Sequence, residues 1–94
     1  MISITHYCTI HNIDTSFVHA LADEGLIVLT IATDGPFIEE EQLPELESYT
    51  RWHYEMGVNT EGIDVIRHLL ERIRNMQHEM HNLRMRLRLY EDGD

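Results

Sequence analysis

The sequence predicts a mostly α fold: a helix-turn-helix bearing a small β-wing, then a third helix and a long C-terminal coiled-coil helix. Three observations carry that prediction. The stretch DTSFVHALADEGLI at 14–27 has the apolar spacing and the end signals of a short amphipathic helix. The run LIVLTIA at 26–32, rich in β-branched residues, is followed by Asp34-Gly35-Pro36 and then Phe37-Ile38, the pattern of a hairpin. From Ile66 to Tyr90 apolar residues recur in alternating steps of three and four.

The first residues, Ile2-Ser3-Ile4, alternate as a short strand would, and Thr5 offers an N-cap hydroxyl to a helix ending near Asn12. Asparagine tolerates the left-handed conformation that stops such a helix. Asp14 caps the next helix, with Phe17, Val18 and Leu21 on its inner face, and Gly25 with Leu26 forms a Schellman-type stop. Two short helices across a three-residue turn make a helix-turn-helix. The hairpin, with its turn at Asp34-Gly35-Pro36, is the wing.

Glu39 to Met56 has helical spacing through Leu43, Leu46, Tyr49, Trp52, His53 and Met56. Proline lacks the N–H that an interior position uses, so a single turn before Leu43 and a helix proper from Pro44 fits equally well. Gly57-Val58-Asn59 breaks the pattern, and Asn59 or Thr60 caps the final helix, with Glu61 and Asp64 well placed against its dipole. Its seam is Ile66, Leu69, Ile73, Met76, Met80, Leu83, Leu87 and Tyr90. A helix from Gly62 to Tyr90 is about 43 Å long, more than the globular part can cover, and a second copy of the chain is the simplest cover for the seam. The expected organisation is therefore residues 1–58 as helix-turn-helix, wing and third helix, and 59–94 as a homodimerisation helix.

With 94 residues the chain is small enough for burial alone to leave stability thin. No apolar run approaches a membrane span and no signal peptide opens the chain, so a cytoplasmic protein is expected. The single Cys8 excludes an internal disulfide and reads as a buried thiol. Charge is distributed unevenly within the net of −10: all seven cations are arginines, at 51, 67, 72, 74, 84, 86 and 88, so residues 1–50 hold nine acids and no Lys or Arg. Such a field repels phosphate backbones and attracts a basic protein surface.

Chemistry-bearing motifs are sparse. His6, Cys8 and His11, and separately His78 and His81 at i, i+3 spacing, could offer at most a weak metal site, and none completes a four-ligand pattern. There is no nucleophile-with-base signature, no Gly-rich phosphate loop and no cofactor motif, so neither an enzyme nor a cofactor is expected. His19, Ser16 and Ala20 on the outer face of the second helix could touch bases, yet DNA binding rests on cations that this helix and the wing lack. Tyr49, Trp52 and Tyr54 share one helix, where spacing favours core packing for at least two of them. The carboxylates cluster at Asp23-Glu24, at the end of the second helix, and at Glu39-Glu40-Glu41, Glu45 and Glu47 after the wing. They read either as a solvated face that keeps a small protein soluble or as a docking surface.

The element order resembles the MerR superfamily, with EGLI at 24–27 and GVNTEGI at 57–63 as its local marks. Within it, the chain more closely resembles the small chaperone-modulator (CbpM) proteins. The likeness lies in ITHYC at 4–8, in Phe37-Ile38 where DNA-binding members carry a basic wing strand, and in a chain that ends with the coiled coil. The resemblance implies a non-enzymatic regulator that binds the J-domain of a DnaJ-like, CbpA-type co-chaperone and blocks its action on Hsp70. Added to the charge pattern, it tips the acidic clusters, with Asp23, Glu24, Glu39, Glu40, Glu41 and Glu45, towards a docking surface for the basic face of that partner. The chain departs from DNA-binding members in having no arginine on the second helix or wing, which makes DNA an unlikely partner and leaves a MerR-like transcriptional regulator as the alternative.

Overall fold

The computed structural model describes residues 1–92 and separates into two units, Met1–Asp64 and the residues from Val65 onward. The first unit begins with β1 (Ile2–Ser3) and α1 (Ile4–His11). The N-cap is Ser3 rather than the expected Thr5: pairing with a later strand keeps the chain extended through Ser3, whose Oγ accepts from the His6 N–H at 3.4 Å. Asn12 ends α1 in the left-handed region (φ 54), and the Ile13 N–H donates back to the Cys8 carbonyl at 3.0 Å.

Asp14 caps α2 (Thr15–Asp23), its carboxylate accepting from the Ser16 N–H at 3.2 Å. The other end is a Schellman turn. Gly25 takes φ +75, the Leu26 N–H donates to the Leu21 carbonyl at 2.9 Å, and the Gly25 N–H donates to Ala22 at 3.0 Å. α1, the three-residue turn and α2 are the helix-turn-helix.

The wing differs from the sequence reading at two points. Only Thr30–Ala32 of the run 26–32 is strand (β2), because Leu26 and Ile27 are drawn into the core and the backbone of Val28 is engaged by a side chain, described below. The turn is Thr33-Asp34, since Ala32 pairs with Gly35 and the return strand β3 (Gly35–Ile38) already contains Gly35 and Pro36. Proline is tolerated in this central strand because β1 pairs only with Phe37 and Ile38 and needs no N–H from Pro36. The sheet is antiparallel with order β1-β3-β2.

A single 3₁₀ turn over Glu40–Gln42 leads into α3 (Leu43–Met56), with Pro44 in the first turn, where its missing N–H costs nothing. Between α3 and α4 (Thr60–Asp92) the Val58 N–H returns to the Trp52 carbonyl at 3.0 Å, and the His53 ring Nδ1 lies 2.7 Å from the Val58 carbonyl. Asn59 is the cap of α4: its Oδ1 accepts from the Gly62 N–H at 2.7 Å.

The core of the first unit draws on every helix and on the wing. Ile4, Tyr7 and Cys8 come from α1, Phe17, Val18 and Leu21 from α2, Leu26 and Ile27 from the turn, Ile38 from β3, Leu46 and Tyr49 from α3, and Ile63 from the first turn of α4. Trp52 packs half-buried against them, and Tyr54 is exposed. In the second unit α4 continues as an uninterrupted helix, with the ion pair Arg67–Glu71 at 3.4 Å on its surface.

Gly62 sits where a side chain has no room, because a Cβ there would lie 2.9 Å from Val58 Cγ1 and 3.0 Å from the capping Asn59 Oδ1. Alanine normally gains about 1 kcal/mol over glycine inside a helix. Here Gly62→Ala displaces a cap worth about 1 kcal/mol and crowds Val58, so the expected result is a net loss of roughly 1 kcal/mol in a urea titration. A gain in stability would show that both contacts give way.

Candidate functional site

The candidate site is the carboxylate surface around α2, the wing and the start of α3. Asp23, Glu24, Glu39, Glu40, Glu41 and Glu45 are all exposed. Asp23 is the last residue of α2 and Glu24 its C-cap, whereas Glu40 and Glu41 open the 3₁₀ turn and Glu45 lies in the first turn of α3. Glu40 also lies 3.7 Å from the N-terminal ammonium.

One side chain ties the start of α3 to the chain that follows α2. The Gln42 amide makes a pair of hydrogen bonds with the backbone of Val28, its Oε1 accepting from the Val28 N–H at 2.7 Å and its Nε2 donating to the Val28 carbonyl at 3.0 Å. Gln42 therefore acts as a short piece of strand laid beside Val28. The segment Glu39–Glu41 precedes Gln42 directly, and Glu24 lies four residues before Val28, so the clamp ties together the chain positions that follow each carboxylate stretch. Nothing in the spacing of the sequence singles out Gln42; a glutamine amide reading a backbone leaves no periodic signal.

The two groups of acids stand differently toward their own helices. A helix carries partial positive charge at its N-terminus and partial negative charge at its C-terminus. Glu45 therefore favours α3. Asp23 and Glu24 sit at the negative end of α2, which has no basic residue in its last turn, and so they work against the helix they end.

The aromatic residues of α3 mostly build the scaffold. Tyr49 is buried, and its hydroxyl reaches the Leu26 carbonyl at 3.5 Å. Phe17 stacks on the His53 ring at 4.3 Å and meets Tyr54 edge-on at 5.4 Å, and Tyr54 Oη accepts the Asp14 N–H at 3.0 Å. These contacts pin the turn of the helix-turn-helix to α3. An open cleft beside them, of about 380 Å³, is lined by Tyr7, His11, Glu47, Thr50, Arg51 and Tyr54 among others. Burial pushes the Tyr7 phenol above its ordinary range, with Glu47 adding to the rise and the Thr50 hydroxyl at 3.2 Å opposing it. The phenol is thus a proton-bearing hydrogen-bond partner at neutral pH and not a base.

Cys8 is buried, as expected, and burial followed by the charge of Asp14 pushes its thiol upward, away from the reactive thiolate. His6 and His11 are exposed while Cys8 faces inward, so the three do not converge. Among the described residues no group of three or more His, Cys, Asp or Glu could hold a metal ion. His19 and Ser16 on the outer face of α2 are exposed, and Ala20 is half-buried. The first cation of the chain, Arg51, lies on α3, beyond both the helix-turn-helix and the wing.

A helix-turn-helix, a three-stranded wing, a third helix and a long final helix define a winged helix-turn-helix protein. A family model described as MerR HTH family regulatory protein matches residues 2–85, and the chain belongs to that family. Searches of the curated proteins and of the solved structures return no significant match. Among the described residues no helix is long and apolar enough to cross a membrane.

The position of Asp23 and Glu24 has a measurable consequence. Replacing both with lysine is expected to raise the stability of the protein by about 0.3–1 kcal/mol per site at low ionic strength, fading as salt rises. Thermal unfolding at two salt concentrations reads this directly, and a loss of stability would show that the two carboxylates have structural partners.

Proposed function

We propose that this chain is a non-enzymatic, cytoplasmic adaptor that acts as a homodimer, binds the J-domain of a DnaJ-like, CbpA-type co-chaperone and inhibits its action on Hsp70. The observation that carries the reading is the surface of the helix-turn-helix and wing, where exposed carboxylates occupy a scaffold usually lined with cations and no Lys or Arg occurs before Arg51. A DNA-reading surface contributes several cations to phosphates and most often an arginine or lysine to guanine. This one offers neither, and its field suits a basic protein helix. The docking residues are Asp23, Glu24, Glu39, Glu40, Glu41 and Glu45.

The dimer reading rests on the final helix. Leu69, Ile73, Met76, Met80, Leu83 and Leu87 are between 48% and 61% exposed, and Ile66 is half-buried. The seam from Ile66 to Tyr90 is about 36 Å of apolar stripe at coiled-coil spacing. A second copy of the helix matches its length and its period.

The test is a binding titration against the J-domain of a co-chaperone from the same genome. Affinity is expected to fall steeply with salt, and reversing Glu39, Glu40 and Glu41 to lysine weakens binding at least tenfold while leaving the dimer intact by sedimentation. Normal binding by the triple variant shows that another surface docks. Absence of binding at low salt, together with a shift of promoter DNA at moderate salt, would replace this reading by that of a DNA-binding transcriptional regulator.

The seam has its own test. Met80→Asp places a charge at the middle of the stripe and is expected to turn the dimer into a monomer at micromolar concentration, with circular dichroism of the first unit's secondary structure largely retained. An unchanged sedimentation coefficient would remove the seam from the interface.

A further inference from the structure

The wing carries an apolar surface that the fold does not use. The run LIVLTIA has the composition of a buried strand, yet only Leu26 and Ile27 enter the core, Leu29 packs partly against it, and β2 is exposed along its whole length. Ile31, in the middle of β2, is 73% exposed. Residues directly opposite in an antiparallel pair share a face of the sheet, as do residues two apart along a strand. Ile31 stands opposite Pro36, Pro36 shares its face with Ile38, and Ile38 is opposite Ile2. The face that buries Ile38 fully thus runs on past the core to Pro36 and Ile31 at the tip of the hairpin, where no other element covers Ile31.

A lone exposed isoleucine needs no explanation. This one continues a core face, lies on a sheet edge, and belongs to a stretch of chain that carries acids and no Lys or Arg, with Asp34 in the turn, Glu39 directly after β3, and Asp23 and Glu24 ahead of β2 in sequence. An apolar centre with a charged surround is the anatomy of a protein-binding patch, with the apolar part giving affinity and the charges giving encounter rate and orientation. The occupant that fits is an amphipathic helix whose apolar stripe is flanked by lysines or arginines. A nucleic acid fits neither the sign of the surround nor the aliphatic centre.

We propose that Ile31, with Pro36 beside it, is the apolar anchor of the partner-binding surface, against which a basic amphipathic helix of the partner lays its apolar stripe. The inference rests on the J-domain reading and makes that docking surface specific: the carboxylates attract, and the wing tip holds. Loss of the anchor acts on the dissociation rate, whereas loss of carboxylates acts on the association rate and the salt slope.

The experiment compares wild type, Ile31→Ser and Ile10→Ser in kinetic binding to the J-domain at three salt concentrations. Ile10 is 62% exposed and lies on α1, outside the candidate site, so it serves as a control for the removal of exposed apolar surface. Thermal unfolding verifies that all three proteins are folded. The expected result is a roughly tenfold faster dissociation for Ile31→Ser with the salt slope unchanged, and Ile10→Ser within twofold of wild type. Wild-type binding with Ile31→Ser also within twofold overturns this inference and leaves the J-domain reading standing. Equal losses in both variants likewise overturn the anchor. No wild-type binding at the lowest salt removes the J-domain reading and this inference together.

Discussion

The chain reversal between Leu21 and Leu26 is the constraint on which the first unit depends. Both side chains are buried, they come from either side of the end of α2, and the hydrogen bond from the Leu26 N–H to the Leu21 carbonyl fixes their relation at 2.9 Å. That bond exists only because Gly25 takes a left-handed conformation that costs other residues about 1 kcal/mol or more. Everything downstream starts from this turn: Ile27 enters the core directly after it, Val28 meets Gln42, and β2 leaves in the direction that lets it pair with β3. The same turn leaves Asp23 and Glu24 outside. A residue that folds the unit and a residue proposed to bind its partner are thus separated by a single turn of chain.

Much of this was legible because it depends on local chemistry. Asp14 capping α2, the stop at Gly25, the left-handed Asn12 and the inner face Phe17, Val18 and Leu21 follow from capping rules and a 3.6-residue period, and all are present. What could not be read are the features set by distant pairing. Thr5 looks like a good cap, and Ser3 takes the role because Ile2 and Ser3 are held extended by Ile38 and Phe37, about 35 residues away in sequence. The strand expected over 26–32 shrinks to Thr30–Ala32 because composition does not say which apolar residues of a run enter the core. The acids of the candidate site were visible in sequence, but the clamp between Gln42 and Val28 was not.

The two levels of description also separate energetically. Inner residues such as Leu21, Leu46 and Ile63 each contribute on the order of 1.5–3 kcal/mol by burial, irrespective of what the outer face carries. Outer charges contribute at most a fraction of that to stability, and those at the end of α2 subtract from it. A winged helix-turn-helix therefore tolerates inversion of its surface charge without loss of its fold. Family membership consequently establishes the scaffold, and the choice of partner rests on the surface.

The proposed choice rests on the sign of the surface charge. A protein bound to duplex DNA commonly neutralises several phosphates, and each such contact releases counterions that drive association. On the helix-turn-helix and wing that count begins at zero, and each exposed carboxylate within a Debye length, about 8–10 Å, adds repulsion instead. The arginines at 84, 86 and 88 belong to the second unit and are spaced along a helix whose apolar stripe is itself half exposed or more. In the proposed complex, a bound cationic partner is the state in which the charge of Asp23 and Glu24, unfavourable at the C-terminal end of α2, becomes favourable. On that proposal the complement of this face is a basic protein surface rather than a phosphate backbone.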